Sequence, residues 1–212
     1  MTIGRWVVVG SCVAFGFVLG PSLARRINLV VKGGSNQPTR SRWRLVSVLT
    51  ATLFGVVAWR LRGWQLPGYL AMTGFLIVLS LIDMDTKTLP RRVIYAMGAS
   101  GVLLLTPAAL LMHEPQRLAT AALGALLLFA LMFLLHLFAR GALGFGDVRL
   151  AAPLGWFVGW QRLAAVTGAL FFSFILSGVV SAGLLLARKV DRRTKIPFGP
   201  FLAAGTLAVL LR

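Results

Sequence analysis

Two aspartates in this chain are placed where carboxylates could do chemistry. Asp83 and Asp147 both lie where a long apolar run meets a short connector that contains Gly or Pro and basic residues. The sequence of 212 residues has only five acidic residues. An ionisable group at the edge of a hydrophobic helix is costly and usually has a function. We therefore take Asp83 and Asp147 as the candidate catalytic residues.

Paired carboxyl groups support general acid–base hydrolysis. Two carboxyl groups at close range share one proton, because both cannot ionise cheaply. The ionised partner takes a proton from water, and the protonated partner donates to the carbonyl oxygen of a peptide bond. This mechanism uses no metal ion, no cofactor and no covalent intermediate. Gly144 and Gly146 would let a substrate backbone approach Asp147, and Pro90 would fix the connector after Asp83.

The other polar residues have simpler interpretations. Lys87 and Arg149 either stabilise the carboxylates or contact substrate, or they are ordinary loop charges. We expect Asp85 and Asp191 to be helix caps or solvated loop residues. Cys12 is the single cysteine, which excludes an intrachain disulfide and a Cys-x-x-Cys zinc pair. The two isolated histidines predict no metal site, and His136 is expected to form an interhelical hydrogen bond.

The composition places the chain in a lipid bilayer. Hydrophobic residues make up 58% and charged residues 13%, against about a quarter charged in soluble domains. We predict an all-α, multi-pass transmembrane helix bundle that forms a single integral-membrane domain over residues 1–212. The net charge of +17 does not indicate a nucleic-acid partner, because the basic residues are divided among short loops.

The apolar runs predict about eight spans, with about seven as the alternative. The run near residues 148–160 is short and contains Pro153. It is predicted to be either a tilted span or a partly inserted helix. The first run is predicted to be a retained span, because Arg25 and Arg26 follow it. The runs are 6–23, 45–59, 66–82, 93–112, 118–138, 148–160, 163–187 and 197–211.

Basic residues predict the orientation. Most Lys and Arg residues fall in alternate connectors, which are 24–44, 83–92, 139–149 and 188–195. Such connectors favour the cytoplasmic side, so both termini should lie outside. Two spans separate Asp83 from Asp147, and an even number of crossings brings both to the cytoplasmic membrane face. We expect 24–44 to be a mobile cytoplasmic loop that contacts lipid headgroups, and 83–92 and 139–149 to be the catalytic loops.

Three motifs resemble those of a known family. The segment 144–147, Gly-Phe-Gly-Asp, is similar to the Gly-x-Gly-Asp signature of intramembrane aspartyl proteases. With Arg149 and Leu150 after it, the segment resembles the longer motif of the prepilin peptidase branch of these proteases. Asp83 stands seven residues before Pro90, as the family's other aspartate does. The segment 196–202, Ile-Pro-Phe-Gly-Pro-Phe-Leu, resembles the stretch that opens the family's last helix. The resemblance covers residues 66–211.

The resemblance implies a prepilin peptidase, which is a type IV prepilin leader peptidase of the GxGD type. Such an enzyme is an aspartic endopeptidase without a cofactor or metal. It removes the basic leader from prepilins or pseudopilins at the cytoplasmic face of the inner (plasma) membrane. Its partners would be these precursor proteins and membrane lipid. Asp83 and Asp147 would form the dyad, with acid and base unassigned. The implied supporting residues are Gly144, Gly146, Pro90, Arg149, Lys87, Pro197, Gly199 and Pro200.

The chain departs from the family pattern at three points. Arg91 follows the proline where the family often has Asn or Asp, and Arg149 replaces a lysine. Larger members have Cys-x-x-Cys pairs in a cytoplasmic loop associated with N-methyltransferase activity, and this chain has only Cys12. The alternative functions are a small transporter or channel, for which acids near mid-bilayer are expected, and a non-catalytic pilus or secretion assembly protein of the same fold.

Overall fold

The computed structural model describes residues 3–32, 40–138, 143–188 and 197–212. Within these ranges the chain is helical and contains no strand, which confirms the all-α prediction. One turn of 3-10 helix, Gly63–Gln65, leads into the third helix. The helices are α1 (Ile3–Lys32), α2 (Arg40–Arg60), α3 (Leu66–Thr86), α4 (Arg91–Leu111), α5 (Gln116–Phe138), α6 (Phe145–Gln161), α7 (Ala165–Leu186) and α8 (Gly199–Leu210).

The helices have the lengths and surfaces of a multi-pass membrane protein. Among the described residues, five segments are long and apolar enough to cross a bilayer, and α8 is a shorter apolar helix. Large apolar side chains on the outside of the bundle are exposed, as on Leu126, Phe171, Val179 and Leu186. Lipid tails solvate such side chains, so these surfaces carry no penalty in a bilayer. The five segments are Gly4–Leu23, Gly63–Thr86, Arg91–Leu111, Gln116–Phe138 and Ala165–Leu186.

Neighbouring helices pack as antiparallel hairpins, with the most extensive contacts between α5 and α6, α1 and α2, and α7 and α8. Antiparallel order places the end of α3 and the start of α6 at the same end of the bundle. Tyr69, near the start of α3, donates a hydrogen bond of 2.8 Å to the carbonyl oxygen of Phe157, near the end of α6. This bond joins the two helices at the end of the bundle opposite the candidate aspartates.

Glycines set the spacing between α5 and α6. A Cβ atom on Gly124 would lie 2.5 Å from the carbonyl oxygen of Gly155, and one on Gly159 would lie 2.5 Å from that of Thr120. Gly155 and Gly159 form a Gly-x-x-x-Gly pair, which allows helix backbones to approach closely in membranes. Because Asp147 lies at the start of α6, this contact positions the helix that carries it.

The helices extend further into the connectors than the apolar runs predicted. The structure places residues 24–32 in α1 and residues 40–44 in α2, so helix occupies both ends of the expected mobile loop 24–44. Arginine and lysine are good helix formers and do not end a helix. The remaining part of that loop, 33–39, and the connector 189–196 with Asp191 lie outside the described residues.

The two expected catalytic loops are also partly helical. Asp83 lies on the last turns of α3, which continues to Thr86, and Asp147 lies in the first turn of α6, which begins at Phe145. The loop between α3 and α4 therefore shortens to residues 87–90. Residues 139–142 lie outside the described part of the chain. Both aspartates are held by helix backbone rather than by loop.

The two ends of the described chain lie at the same end of the bundle. Arg5 donates a hydrogen bond of 3.2 Å to the carbonyl oxygen of Trp59, and Arg60 donates one of 3.3 Å to that of Arg212. Trp59 and Arg60 end α2, so α1 begins and α8 ends beside the same residues. The placement of both termini outside the cell stays a prediction.

We expect Gly124→Ala to destabilise the bundle, because its Cβ would clash with the backbone of α6. Overpacking of this kind costs about 1–3 kcal/mol, which would lower the midpoint of thermal unfolding followed by circular dichroism in detergent. The matched control is Gly178→Ala, where a Cβ would meet nothing within 4 Å. Equal unfolding midpoints for the two variants would contradict the proposed role of the glycine contact.

Candidate functional site

Asp83 is buried inside the bundle, with 5% of its surface exposed. The backbone N–H of Gly199, at the start of α8, donates a hydrogen bond of 3.0 Å to its Oδ2 atom. Lys87 ends α3 in the left-handed conformation, with φ of 53°, and donates its N–H to the carbonyl oxygen of Asp83 at 2.8 Å. The position of the Asp83 carboxylate therefore depends on the last turn of α3 and on the first residue of α8.

Asp147 is buried as well, with 8% of its surface exposed. It lies in the first turn of α6, and its backbone N–H donates to the carbonyl oxygen of Gly144 at 3.1 Å. The partial positive charge of a helix N-terminus favours a carboxylate at this position. Its Oδ1 atom is buried and accepts no hydrogen bond from any described residue. A buried acceptor without a partner costs free energy.

The structure brings the two aspartates together. The carboxylate of Asp83 lies close enough to that of Asp147 to repel it electrostatically. The segments that follow and precede them are also in contact, since a Cβ atom on Gly146 would lie 3.2 Å from the Cβ atom of Leu89. Two carboxyl groups from helices far apart in sequence therefore lie at the same end of the bundle.

The space beside Asp83 has no room for a side chain at position 199, which glycine occupies. A Cβ atom at this position would lie 2.7 Å from Oδ2 of Asp83, which is closer than real Cβ atoms approach. Phe198, the residue before it, packs against Phe174 of α7 with ring centroids 5.0 Å apart. Pro200 occupies the first turn of α8, where a missing N–H costs little. The motif that opens α8 thus places a backbone donor, without a side chain, against a buried carboxylate.

The remaining predicted site residues have structural positions around the pair. Pro90 occupies the N-cap position of α4 without a side-chain capping bond. Pro197 is half-buried just before α8. The guanidinium of Arg149 lies 4.5 Å from the ring centroid of Phe145, and Lys87 is exposed. Neither side chain forms an ion pair with Asp83 or Asp147 among the described residues, which favours the interpretation of both as ordinary charges near the site.

Two residues that support the site were not predicted as part of it. Leu89 packs on Gly146, and its apolar side chain within a polar connector is the signal that could have identified it. His136, at the end of α5, forms a hydrogen bond of 2.8 Å with the carbonyl oxygen of Leu143, and its ring lies 5.5 Å from that of Phe145. It was predicted as an interhelical hydrogen bonder, and it instead holds the backbone that leads into α6.

Two buried carboxyl groups at one end of the bundle are a candidate pair for proton transfer through a water molecule. A buried pair of this kind keeps one proton because double ionisation is unfavourable. One group can then act as a base while the other acts as an acid. In the described part of the chain, no group of three or more His, Cys, Asp or Glu residues is arranged to hold a metal ion.

Comparison with known proteins identifies relatives of this chain. Its residues 70–186 match the model of the type IV leader peptidase family. A prepilin leader peptidase/N-methyltransferase of Aeromonas hydrophila is 33% identical over 184 residues, which are 84% of this chain and 61% of that protein. Proteins of the same name from Pseudomonas aeruginosa and Pseudomonas putida are 34% and 36% identical over 172 residues, 80% of this chain and 58% of each relative. No solved structure gives a significant match.

The matched region contains both members of the aspartate pair, all of α6 and most of α3. The chain spans about three fifths of the length of these curated relatives, which are 61% and 58% covered. The family model covers more than half of the chain, from residue 70 to residue 186. The chain belongs to the type IV leader peptidase family.

Proposed function

We propose that this chain is an aspartic endopeptidase that removes the basic leader peptide from type IV prepilins or pseudopilins. The observation that carries the proposal is the burial of two carboxyl groups, those of Asp83 and Asp147, at the same end of a membrane helix bundle. Both lie within the region that matches the family model. The names of the relatives supply the class of substrate.

The dyad hydrolyses the peptide bond through a bound water molecule. The ionised aspartate takes a proton from this water as it attacks the scissile carbonyl carbon, and the protonated aspartate donates its proton to the carbonyl oxygen. Collapse of the tetrahedral intermediate breaks the C–N bond, the leaving nitrogen takes a proton from one aspartate, and a hydroxyl of the intermediate returns its proton to the other aspartate. Each turnover consumes one water and restores the shared proton. The roles of acid and base are properties of the coupled pair, and neither role is assigned to one residue.

Exposed apolar residues beside the dyad provide a surface for the substrate. Met84 is 61% exposed and Phe145 is 39% exposed, and each is within two residues of a catalytic aspartate. The substrate is itself a membrane helix with a short leader, so lateral approach would bring its scissile bond to this end of the bundle. The glycine at position 144 leaves room for an extended substrate backbone next to Asp147.

The same end of the bundle is proposed to face the cytoplasm in the inner (plasma) membrane, within one integral-membrane peptidase domain. Lys87, Arg91 and Arg92 are exposed there, and basic residues near the ends of spans favour the cytoplasmic side. A leader peptide that has not crossed the membrane would meet the dyad on that side.

We expect Asp83→Asn and Asp147→Asn each to reduce the cleavage rate by at least about a hundredfold, because either change removes one of the two proton-transfer groups. The measurement is the mass of the amino terminus of a pilin-like precursor co-expressed with each variant. That mass reports both cleavage and its position.

Asp85→Asn is the matched control for this experiment. Asp85 lies on the same helix turn as Asp83 but is exposed, so its variant should cleave at close to the rate of the parent chain. Membrane insertion and folding of all three variants are checked by circular dichroism. Full processing by either dyad variant would reject the aspartic mechanism.

Gly199→Ala should lower kcat with little effect on KM. The added Cβ would displace the Asp83 carboxylate, and a displacement of about 1 Å can cost a hundredfold in rate. The control is Gly183→Ala, where a Cβ would meet nothing within 4 Å. Cleavage kinetics of a detergent-solubilised precursor give both constants, and an unchanged kcat would show that the close contact with Asp83 has no role in catalysis.

A further inference from the structure

A cavity of about 250 Å³ lies at the end of the bundle opposite the dyad. The start of α1, the end of α2 and the turn that leads into α3 line it. Its lining includes both basic and apolar residues, which are Arg5, Val8, Ala58, Leu61, Arg62 and Leu66. Its volume is slightly below the range of about 300–1,000 Å³ for pockets that hold drug-sized ligands, so it suits a small polar group.

Two like charges meet in this cavity. Arg5 and Arg62 both line it, and the guanidinium of Arg62 repels that of Arg5. Arg5 donates from Nη2 to the carbonyl oxygen of Trp59, and its guanidinium lies 3.4 Å from the centroid of the Trp59 ring. Neither arginine is paired with a carboxylate within the described ranges. Two close cations without a counter-charge favour an anionic ligand.

The donor groups of the cavity are not all satisfied by the protein. The Nε–H group of Arg5 is buried and has no hydrogen-bond partner among the described residues. A buried donor without a partner costs free energy, and an acceptor that reaches this group after a small shift of the Arg5 side chain would recover that cost. The helix N-termini of α1, next to Gly4, and of α3, at Leu66, also border the cavity and add partial positive charge. Oxygen atoms of a phosphate group fit these donors, because guanidinium groups bind phosphate in a forked geometry.

The position of the cavity along α3 matches that of the headgroup layer of a bilayer. The membrane-spanning segment Gly63–Thr86 begins at the cavity and ends beside Asp83. At about 1.5 Å per helical residue, Leu66 and Asp83 are about 26 Å apart along the helix. The hydrocarbon core of a bilayer is about 30 Å thick. If the dyad lies at one membrane surface, the cavity lies at the other.

Three exposed tryptophans are direct chain neighbours of residues that line the cavity. Trp6 is 61% exposed, Trp59 is 37% exposed and Trp64 is 63% exposed. The rings of Trp6 and Trp59 are in contact, with centroids 5.1 Å apart. Tryptophan is enriched at the boundary between hydrocarbon and headgroups. Val8, which lines the cavity, is 46% exposed and offers an apolar surface that an acyl chain can follow.

We propose that this cavity binds the phosphate of an anionic phospholipid, with Arg5 and Arg62 as its ligands. The acyl chains would lie against the exposed apolar face of α1. The site holds the start of α1, the end of α2 and the start of α3 together, so bound lipid stabilises this end of the bundle. The inference does not depend on the peptidase activity.

The test is binding of phosphatidylglycerol and of phosphatidylcholine to the purified full chain in detergent, followed by native mass spectrometry. We expect phosphatidylglycerol to bind at least about tenfold more tightly. Arg5→Gln and Arg62→Gln should each remove this preference. The control is Arg117→Gln at the same end of the bundle, whose parent side chain is paired with Glu114; it should leave the preference unchanged.

The Arg62 variant and a competition experiment with phosphate complete the test. Arg62 is exposed, so its substitution does not disturb packing, and this variant decides the question if the Arg5 variant fails to fold by circular dichroism. Competition with inorganic phosphate distinguishes the source of the ligand. Equal displacement by phosphate at millimolar concentration would reject a lipid, and an unchanged lipid preference in Arg62→Gln would reject the site.

Discussion

Close approach of helix backbones, made possible by glycine, is the constraint on which the aspartate pair depends. Gly146 lets the start of α6 pack on Leu89, and Gly199 brings the N–H of α8 to the carboxylate of Asp83. Between α5 and α6, Gly124 faces Gly155 in the same way. In a bilayer, where the hydrophobic effect does not drive helices together, such contacts supply much of the association energy. The geometry of the site therefore follows from the packing of the bundle.

The two ends of the bundle have opposite electrostatic character. At one end two carboxyl groups are buried together, which is unfavourable unless they share a proton. At the other end Arg5 and Arg62 border one cavity, where the anion that we propose would lie between them. Because like charges at close range repel, neither cluster is expected to stabilise the folded bundle. Clusters of this kind are found where a protein binds or transforms something.

The helices could be predicted from the sequence, but their ends could not. Every apolar run became a helix, because in a bilayer the backbone groups must be satisfied within the segment. The boundaries moved by several residues at α1, α2, α3 and α6. Arginine and lysine are good helix formers, and an aspartate such as Asp147 is favoured in the first turn of a helix. Gly144 and Gly146 were predicted to leave space at Asp147. The contact of Gly146 with Leu89 and the bond from His136 to Leu143 needed coordinates, because each joins residues that no periodic pattern relates.

The sequence by itself determined that the chain is a membrane helix bundle, that Asp83 and Asp147 lie at the same end of it, and which family it belongs to. These conclusions need only hydropathy, an even number of crossings and short motifs, all of which are local properties of the chain. Only the tertiary structure decided that Gly199 donates to Asp83 and that Arg5 meets Arg62 across one cavity. Such contacts depend on the rotation and tilt of each helix. Packing between helices sets both of these, and hydropathy along one helix does not encode them.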